Sequence, residues 1–230
     1  MRRFVLGDIH GSYRGLVQCL QRSKFDYEKD RLIVLGDVCD GWPDVKAAID
    51  ELLKIKRLYY ILGNHDVWTL GWALEGVKDD LWLRQGGRAT IDSYEGGVMP
   101  DEHIQFLKNA LLWKVYKGRL FVHAGFDPDK KLKQQDEHVL LWEREFVAAA
   151  GKKHQADPDF RFGKYKEVYI GHTPTLKYSS IQPVRFCNVW SVDTGAGWDG
   201  PLTIMDIESK EFWQSDLSPR LYPDAKGRFE

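Results

Sequence analysis

Phe4-Val5-Leu6-Gly7-Asp8-Ile9-His10-Gly11 sets a short apolar run directly before glycine, a carboxylate and an imidazole. The same order returns along the chain. Leu32-Ile33-Val34-Leu35 leads into Gly36-Asp37-Val38-Cys39-Asp40-Gly41, and Leu58-Tyr59-Tyr60-Ile61-Leu62 into Gly63-Asn64-His65-Asp66. Leu120-Phe121-Val122 leads into His123-Ala124-Gly125, and Val168-Tyr169-Ile170 into Gly171-His172-Thr173. An apolar run rich in Val, Ile, Phe and Tyr that ends at Gly reads as a buried strand with a sharp exit. At the carboxyl ends of neighbouring strands in an α/β sheet, such exits converge on one site. The converging set is Asp8, His10, Asp37, Asn64, His123 and His172. Carboxylate, amide and imidazole together suit Mn, Fe or Zn better than Ca or Mg alone.

The rest of the composition narrows the function. The 230 residues fit one large domain or two small ones, and 43% hydrophobic content is enough for a full core. A formal net charge of -1 leaves no global basic field, so neither general nucleic-acid binding nor membrane-surface binding is expected. No apolar run reaches the length of a membrane span. Met1-Arg2-Arg3-Phe4 enters the first strand at once, and Asp8 interrupts it too early for a signal peptide, so a cytoplasmic location is expected. Cys19, Cys39 and Cys187 are odd in number and widely spaced, which reads as reduced thiols. Cys39, inside the second exit loop, reads as a small buried filler.

Alternation organises the first half: strand, helix over 13–22, strand, helix over 43–54, strand. Ser12 is the expected N-cap of the first helix and Pro43 suits the first turn of the second. This order implies parallel strands with right-handed crossovers. Helices are expected over 67–74, 102–109 and 138–150, a loop at Gln85-Gly86-Gly87-Arg88, and a hairpin turning at Lys117-Gly118. Residues 151–163 read as a mobile surface loop. Strands close the chain at 168–170, 189–192, 202–207 and 212–214. The pattern is a two-sheet α/β sandwich, a single domain over 1–215 followed by a polar surface tail over 216–230. Trp42, Trp68, Trp72 and Trp198 lie near the motif loops, where core or pocket-wall packing is the default. His103, His138 and His154 fit no motif and read as ordinary structural residues.

Asp8 and His10 are two residues apart at a strand exit, so they point the same way. Asp37 has two oxygens with which to bridge a pair of cations. Two cations about 3.5–4 Å apart can grip a phosphate and supply a hydroxide for in-line attack on phosphorus. The leaving oxygen then needs a proton. His65 is the candidate acid, with Asp40 to orient it. Any one of these motifs alone is weak, because a lone Asp after a strand is usually a turn residue. Five in series, each after an expected strand, point to a metal site.

In that order the motifs resemble those of the calcineurin-like metallophosphoesterases. More closely, they are similar to the bacterial and bacteriophage serine/threonine protein phosphatases, with the symmetrical diadenosine tetraphosphatases as near relatives. Leu141-Trp142-Glu143-Arg144 resembles the family's Leu-Trp-x-Arg segment, and Ser191-Val192-Asp193-Thr194-Gly195 its closing strand pair. The resemblance spans about residues 1–208. It implies a four-layer α/β/β/α sandwich of two mixed sheets. It implies one metal on Asp8, His10 and Asp37 and a second on Asp37, Asn64, His123 and His172. Mn is the ion it implies first, with Fe, Zn or Ni as alternatives. It further implies His65 as general acid paired with Asp40, and a phosphate held by Arg144 and Asn64. The partner implied is a phosphoprotein or small phosphoester. A nucleotide phosphohydrolase is the alternative within enzymes, and a catalytically silent metal-binding adaptor the alternative outside them. One departure stands out. The family's second motif continues Asp-x-x-Asp-Arg-Gly, whereas Gly41 follows Asp40 here. Arg88 is the candidate to replace that arginine, although an Arg in a polar loop is ordinarily just solvated.

Overall fold

The structure, a computed structural model, describes residues 1–228. Its strands are β1 (Arg3–Leu6), β2 (Arg31–Val34), β3 (Leu58–Tyr60), β4 (Trp113–Tyr116), β5 (Arg119–Val122), β6 (Glu167–Ile170), β7 (Val184–Phe186), β8 (Val189–Ser191), β9 (Pro201–Asp206) and β10 (Phe212–Leu217). They form two five-stranded sheets, ordered β10-β9-β1-β2-β3 and β4-β5-β6-β8-β7. In the first, β1, β2 and β3 run parallel and the β9–β10 hairpin joins antiparallel to β1. In the second, β5, β6 and β8 run parallel, with β4 and β7 antiparallel at the edges.

Strand periodicity explains the layers. Successive side chains of a strand point to opposite faces. Phe4, Leu6, Leu32 and Val34 pack with Leu16, Cys19, Leu20, Ala48, Ile49 and Leu52, the apolar stripe of helices Tyr13–Arg22 and Val45–Leu53. Val5 and Ile33, one residue out of phase, turn inward and meet Phe121, Tyr169 and Val192 from the second sheet. Leu120, Val122, Val168 and Ile170 turn outward onto Leu140, Leu141, Phe146 and Val147. Both faces of each central strand are buried, which is why these strands read as continuous apolar runs rather than alternating ones. The result is two mixed sheets back to back, each covered by helices: the expected α/β/β/α sandwich.

Some elements depart from expectation. The helix expected over 138–150 is two, Glu137–Trp142 and Glu145–Ala156, with Glu143 extended between them. In one unbroken helix Leu141 and Phe146 would point about 140° apart. The break lets both reach the core of the second sheet. The second of these helices also claims the start of the loop expected over 151–163, and His154 in it accepts a hydrogen bond from the Cys187 amide. The chain leaves helical backbone at Gln85 and Gly86 (φ 99°), within the expected loop, but Arg88 already begins a short helix, Arg88–Asp92. Ser12 caps without a side-chain hydrogen bond, and the second helix starts at Val45, after Pro43. The segment expected as a surface tail differs as well. β10 runs to Leu217, and Tyr222 and Arg228 are buried. Residues 229–230 of that tail lie outside the described residues. Among the described residues no helix is long and apolar enough to cross a membrane.

An ionic cluster at the first residues of β5 and β6 pins the two sheets together. Arg119 donates to Glu167 (2.6 Å) in the second sheet and to Glu208 (2.8 Å) in the β9–β10 turn. Lys210 of that turn and the Tyr169 hydroxyl also donate to Glu167, at 2.7 and 3.0 Å. Burial works against the Glu167 charge, but Lys210 and Arg119 hold its carboxyl down to about 2. Its folded value lies below the ordinary 4.5, so its contribution is full above 4.5 and fades as pH falls toward about 2. Glu167→Gln should cost about 1–3 kcal/mol at neutral pH, since it strands charged donors. Urea denaturation followed from pH 7 to about pH 3 should show that the variant lacks this part of the acid decline. Parallel wild-type and variant curves would refute the assignment.

Candidate metal centre

At the opposite end of the sandwich the exits of the parallel strands meet. Asp37 is the hub. Its backbone carbonyl accepts from the amides of Ile9 (3.0 Å) and His10 (2.8 Å), and its Oδ1 accepts from the His65 amide (2.9 Å). Its Oδ2 lies 3.7 Å from His10 Nε2 and 3.4 Å from His123 Nε2. Two triads of donor atoms form around it, Asp8–His10–Asp37 and Asp37–His123–His172, each with ligand atoms within 4.8 Å of one another and all buried. Asn64 joins the second through Oδ1, 3.0 Å from His123 Nε2. All six residues expected at the site are therefore brought together.

The far side of each imidazole is anchored on a backbone carbonyl. His10 Nδ1 donates to Cys39 O (3.1 Å), His123 Nδ1 to Leu35 O (2.7 Å) and His172 Nε2 to Trp142 O (3.0 Å). Each anchor fixes the ring and leaves its other nitrogen facing the cluster. The contribution of Cys39 is its carbonyl; burial pushes its thiol well up and out of reactivity. Asp8 Oδ1 is buried with no hydrogen-bond partner. A Cβ at Gly171 would fall 2.0 Å from that oxygen, and one at Gly63 2.0 Å from Asp37 Oδ1. Glycine at these exits makes room for the carboxylates. Inward-facing imidazole nitrogens, an orphaned carboxylate oxygen and a shared carboxylate fit a pair of divalent ions with nitrogen and oxygen ligands.

The electrostatics follow from crowding charge in a dry crease. Burial, then the charge of Asp193, pushes Asp8 well above the usual carboxylate range. Burial would raise Asp37 too, but His123, His65 and His10 hold it well below that range. Burial pulls His123 down, yet Asp37 lifts it to about 10. Burial and His123 draw His172 down to about 2. Backbone strain concentrates here as well. His10, Asp37, Asp40 and His172 adopt left-handed φ of 48°, 52°, 68° and 60°, a conformation rare outside glycine that persists only where its surroundings enforce it.

Beside this cluster, His65 Nδ1 donates to Asp40 Oδ2 (2.7 Å). Asp40 is itself fixed by the Trp82 indole N–H (2.8 Å) and the Thr90 hydroxyl (2.6 Å). Sequence reasoning missed Trp82 and Thr90. Nothing local marks them, because they reach Asp40 only through the packing of the 80–92 segment. It also missed Asp66, which accepts from the amides of Asp37 (3.0 Å) and Gly63 (2.9 Å) and from the Tyr60 hydroxyl (2.8 Å). The Asp after Gly-Asn-His was the one available signal. A cavity of about 260 Å³ opens beside His172, with Arg144, Lys177, Trp198 and Arg228 on its walls. Arg88 lines a different cavity, with Gly41 and Asp92. A larger cavity of about 510 Å³, against Trp113 and Phe126, contains none of these groups. Of the other tryptophans near the motifs, Trp42 and Trp72 are buried and Trp68 sits edge-on to His65 at 5.0 Å.

The chain belongs to the calcineurin-like phosphoesterase family, whose model matches residues 1–193. It is 28% identical to serine/threonine-protein phosphatase 1 of Salmonella typhimurium, over 89% of this chain and 91% of that protein. It is 25% identical to a symmetrical bis(5'-nucleosyl)-tetraphosphatase of Methylobacillus flagellatus, over 95% and 96%. A solved structure provisionally named a diadenosine tetraphosphatase shares the fold with a TM-score of 0.69 at 17% identity, covering 93% of this chain and 92% of that one. With the two donor triads, this makes the chain a metal-dependent phosphoesterase.

Because Asp37 belongs to both triads and His172 to one, their substitutions should differ. Asp37→Asn should abolish binding of both ions, whereas His172→Ala should lose one and keep the other. Elemental analysis after Mn loading and gel filtration measures this directly. Equal metal content in the two variants would break the sharing of Asp37.

Proposed function

We propose that the substrate is a nucleotide polyphosphate, a dinucleoside tetraphosphate being the first candidate. The supporting observation is the wall of the cavity beside His172. Arg144 and Lys177 both line it, together with the half-buried Trp198. Burial and the nearness of Arg144 lower the Lys177 ammonium from its ordinary value, the mark of two cations held close. Neighbouring cations suit a chain of several phosphates better than a single monoester, and an aromatic face suits a base. The similarity to bis(5'-nucleosyl)-tetraphosphatases agrees with this. The sequence alone favoured a phosphoprotein. That reading stands second, supported by the Salmonella relative.

In this reading Asp8, His10 and Asp37 hold one ion, and Asp37, Asn64, His123 and His172 the other, with Mn the first expectation. The bound ions would supply the water-derived nucleophile and neutralise phosphate charge. Arg144, with Asn64, orients the phosphoryl group. His65, fixed through Nδ1 on Asp40, carries at Nε2 the proton that the leaving oxygen needs. A silent metal-binding adaptor has no use for that pair.

With Mn present, diadenosine tetraphosphate should be cleaved with kcat/KM at least about tenfold above that for a phosphothreonine peptide, a margin of about 1.4 kcal/mol in transition-state binding. The reverse order would return the phosphoprotein to first place. His65→Asn should lower kcat by about 10²–10⁴-fold, the usual contribution of a general acid. Metal content should stay normal, and the loss should shrink for p-nitrophenyl phosphate, whose leaving group needs little protonation. Loss of metal in that variant would make His65 a ligand instead.

A further inference from the structure

Arg228 has no place in the sequence reading, yet its side chain is buried beside the metal centre. It is 8% exposed and lies along two glycines. A Cβ on Gly41 would meet its Cγ at 3.2 Å, and one on Gly197 its Cδ at 3.0 Å. Any larger residue at 41 or 197 would close this channel. Gly41 is also the position where the resembling sequences carry arginine. The segment that brings Arg228 here is anchored. Tyr222 stacks on Trp42 with ring centroids 5.2 Å apart and planes at 19°. The Trp42 indole N–H donates to Ala196 O (2.6 Å), and the Arg228 amide to Gly197 O (3.2 Å).

The guanidinium is held but not satisfied. Nη2 donates to Gln85 Oε1 (2.7 Å), and Cζ sits 4.7 Å from the centroid of the Trp198 ring. Nη1 lies 3.3 Å from His10 Nε2, a nitrogen already assigned to a metal, and Nε is buried with no partner. Among the described residues no carboxylate lies within ion-pair distance of it, although Asp37, Asp40, Asp193 and Asp8 all favour its charge. Burying an arginine without an ion pair is costly. Its natural complement is an anion entering the cavity it shares with Arg144. The planar fork of a guanidinium matches phosphate oxygens two at a time.

We propose that Arg228 is a substrate-binding residue, a guanidinium delivered by the C-terminal segment through the space over Gly41 to hold a phosphate opposite Arg144. This rests on the phosphoesterase reading above. It makes the segment after β10 part of the active site.

The test uses the full-length Mn-loaded protein and inorganic phosphate as the probe. Arg228→Ala should weaken calorimetric binding of phosphate about tenfold or more and lower kcat/KM for p-nitrophenyl phosphate about 10–100-fold, the scale of a lost charge-assisted contact. Metal content should not change. Arg228→Lys should recover only part of the loss, and added guanidinium ion should restore activity to Arg228→Ala but not to wild type. Should Arg228→Ala unfold, Arg228→Gln keeps more of the side chain without its charge and is read the same way. Wild-type phosphate affinity in a folded Arg228 variant would overturn the proposal. So would higher metal affinity with higher activity, which would make Arg228 a plug in the metal site. A wild-type enzyme that neither binds phosphate nor cleaves esters would instead bring down the phosphoesterase reading itself.

Discussion

One carboxylate organises this molecule. Asp37 ties three strand exits together: its carbonyl takes the amides of Ile9 and His10 after β1, its Oδ1 takes the amide of His65 after β3, and its own chain follows β2. Its remaining oxygen faces His10 and His123, from different sheets. Such a group must stay ionised to serve, and burial opposes that strongly. The surrounding imidazoles keep it charged. Beneath it, Asp66 gathers donors from Asp37, Gly63 and Tyr60. Burial and the Asp37 charge push Asp66 up to about 7. Of these two adjacent carboxylates one is raised and the other lowered, and each is met by hydrogen-bond donors.

The strand exits of the site carry left-handed backbone, and an ionic cluster ties the far end of the sandwich. Four site residues hold left-handed backbone, at a cost of about 1–3 kcal/mol each. Such geometry persists only if the scaffold cannot relax. The interior supplies the rigidity: Val5, Ile33, Phe121, Tyr169 and Val192 interlock between the sheets. The Arg119–Glu167–Lys210 cluster then ties the second sheet to the β9–β10 turn of the first.

What was legible in the sequence follows from this plan. The residues expected at the strand exits are legible because each follows an apolar run, and β1, β2, β5 and β6 are buried along nearly their whole length. Asp8, His10, Asp37, Asn64, His123 and His172 all carry that mark. The layer order was legible for the same reason. Trp82 and Thr90 were not, because their link to Asp40 spans tens of residues and depends on the kink at Gln85-Gly86. Nor was the break that puts Arg144 at the head of a helix, since 138–150 is good helical sequence and only the demand that Leu141 and Phe146 both face the second sheet interrupts it. Arg228 was invisible because a polar C-terminal stretch carries no periodicity. Its path is written partly in residues that lack side chains, Gly41 and Gly197.

The charges of the site are separated along the chain. The carboxylates that form its floor, Asp8, Asp37 and Asp40, come from the first two strand exits. The cations beside them, Arg144, Lys177 and Arg228, come from a helix break, a turn and the final segment. An anionic floor by itself repels phosphate, and a cationic wall by itself repels metal ions. Unlike charges brought together in a buried site attract and like charges repel, more strongly than in water. A metal held on the floor would therefore strengthen phosphate binding at the wall, and a phosphate at the wall would strengthen metal binding on the floor, by the same factor. The surfaces are complementary only when both ligands are present, and this arrangement favours cleaving a phosphate ester over storing a metal.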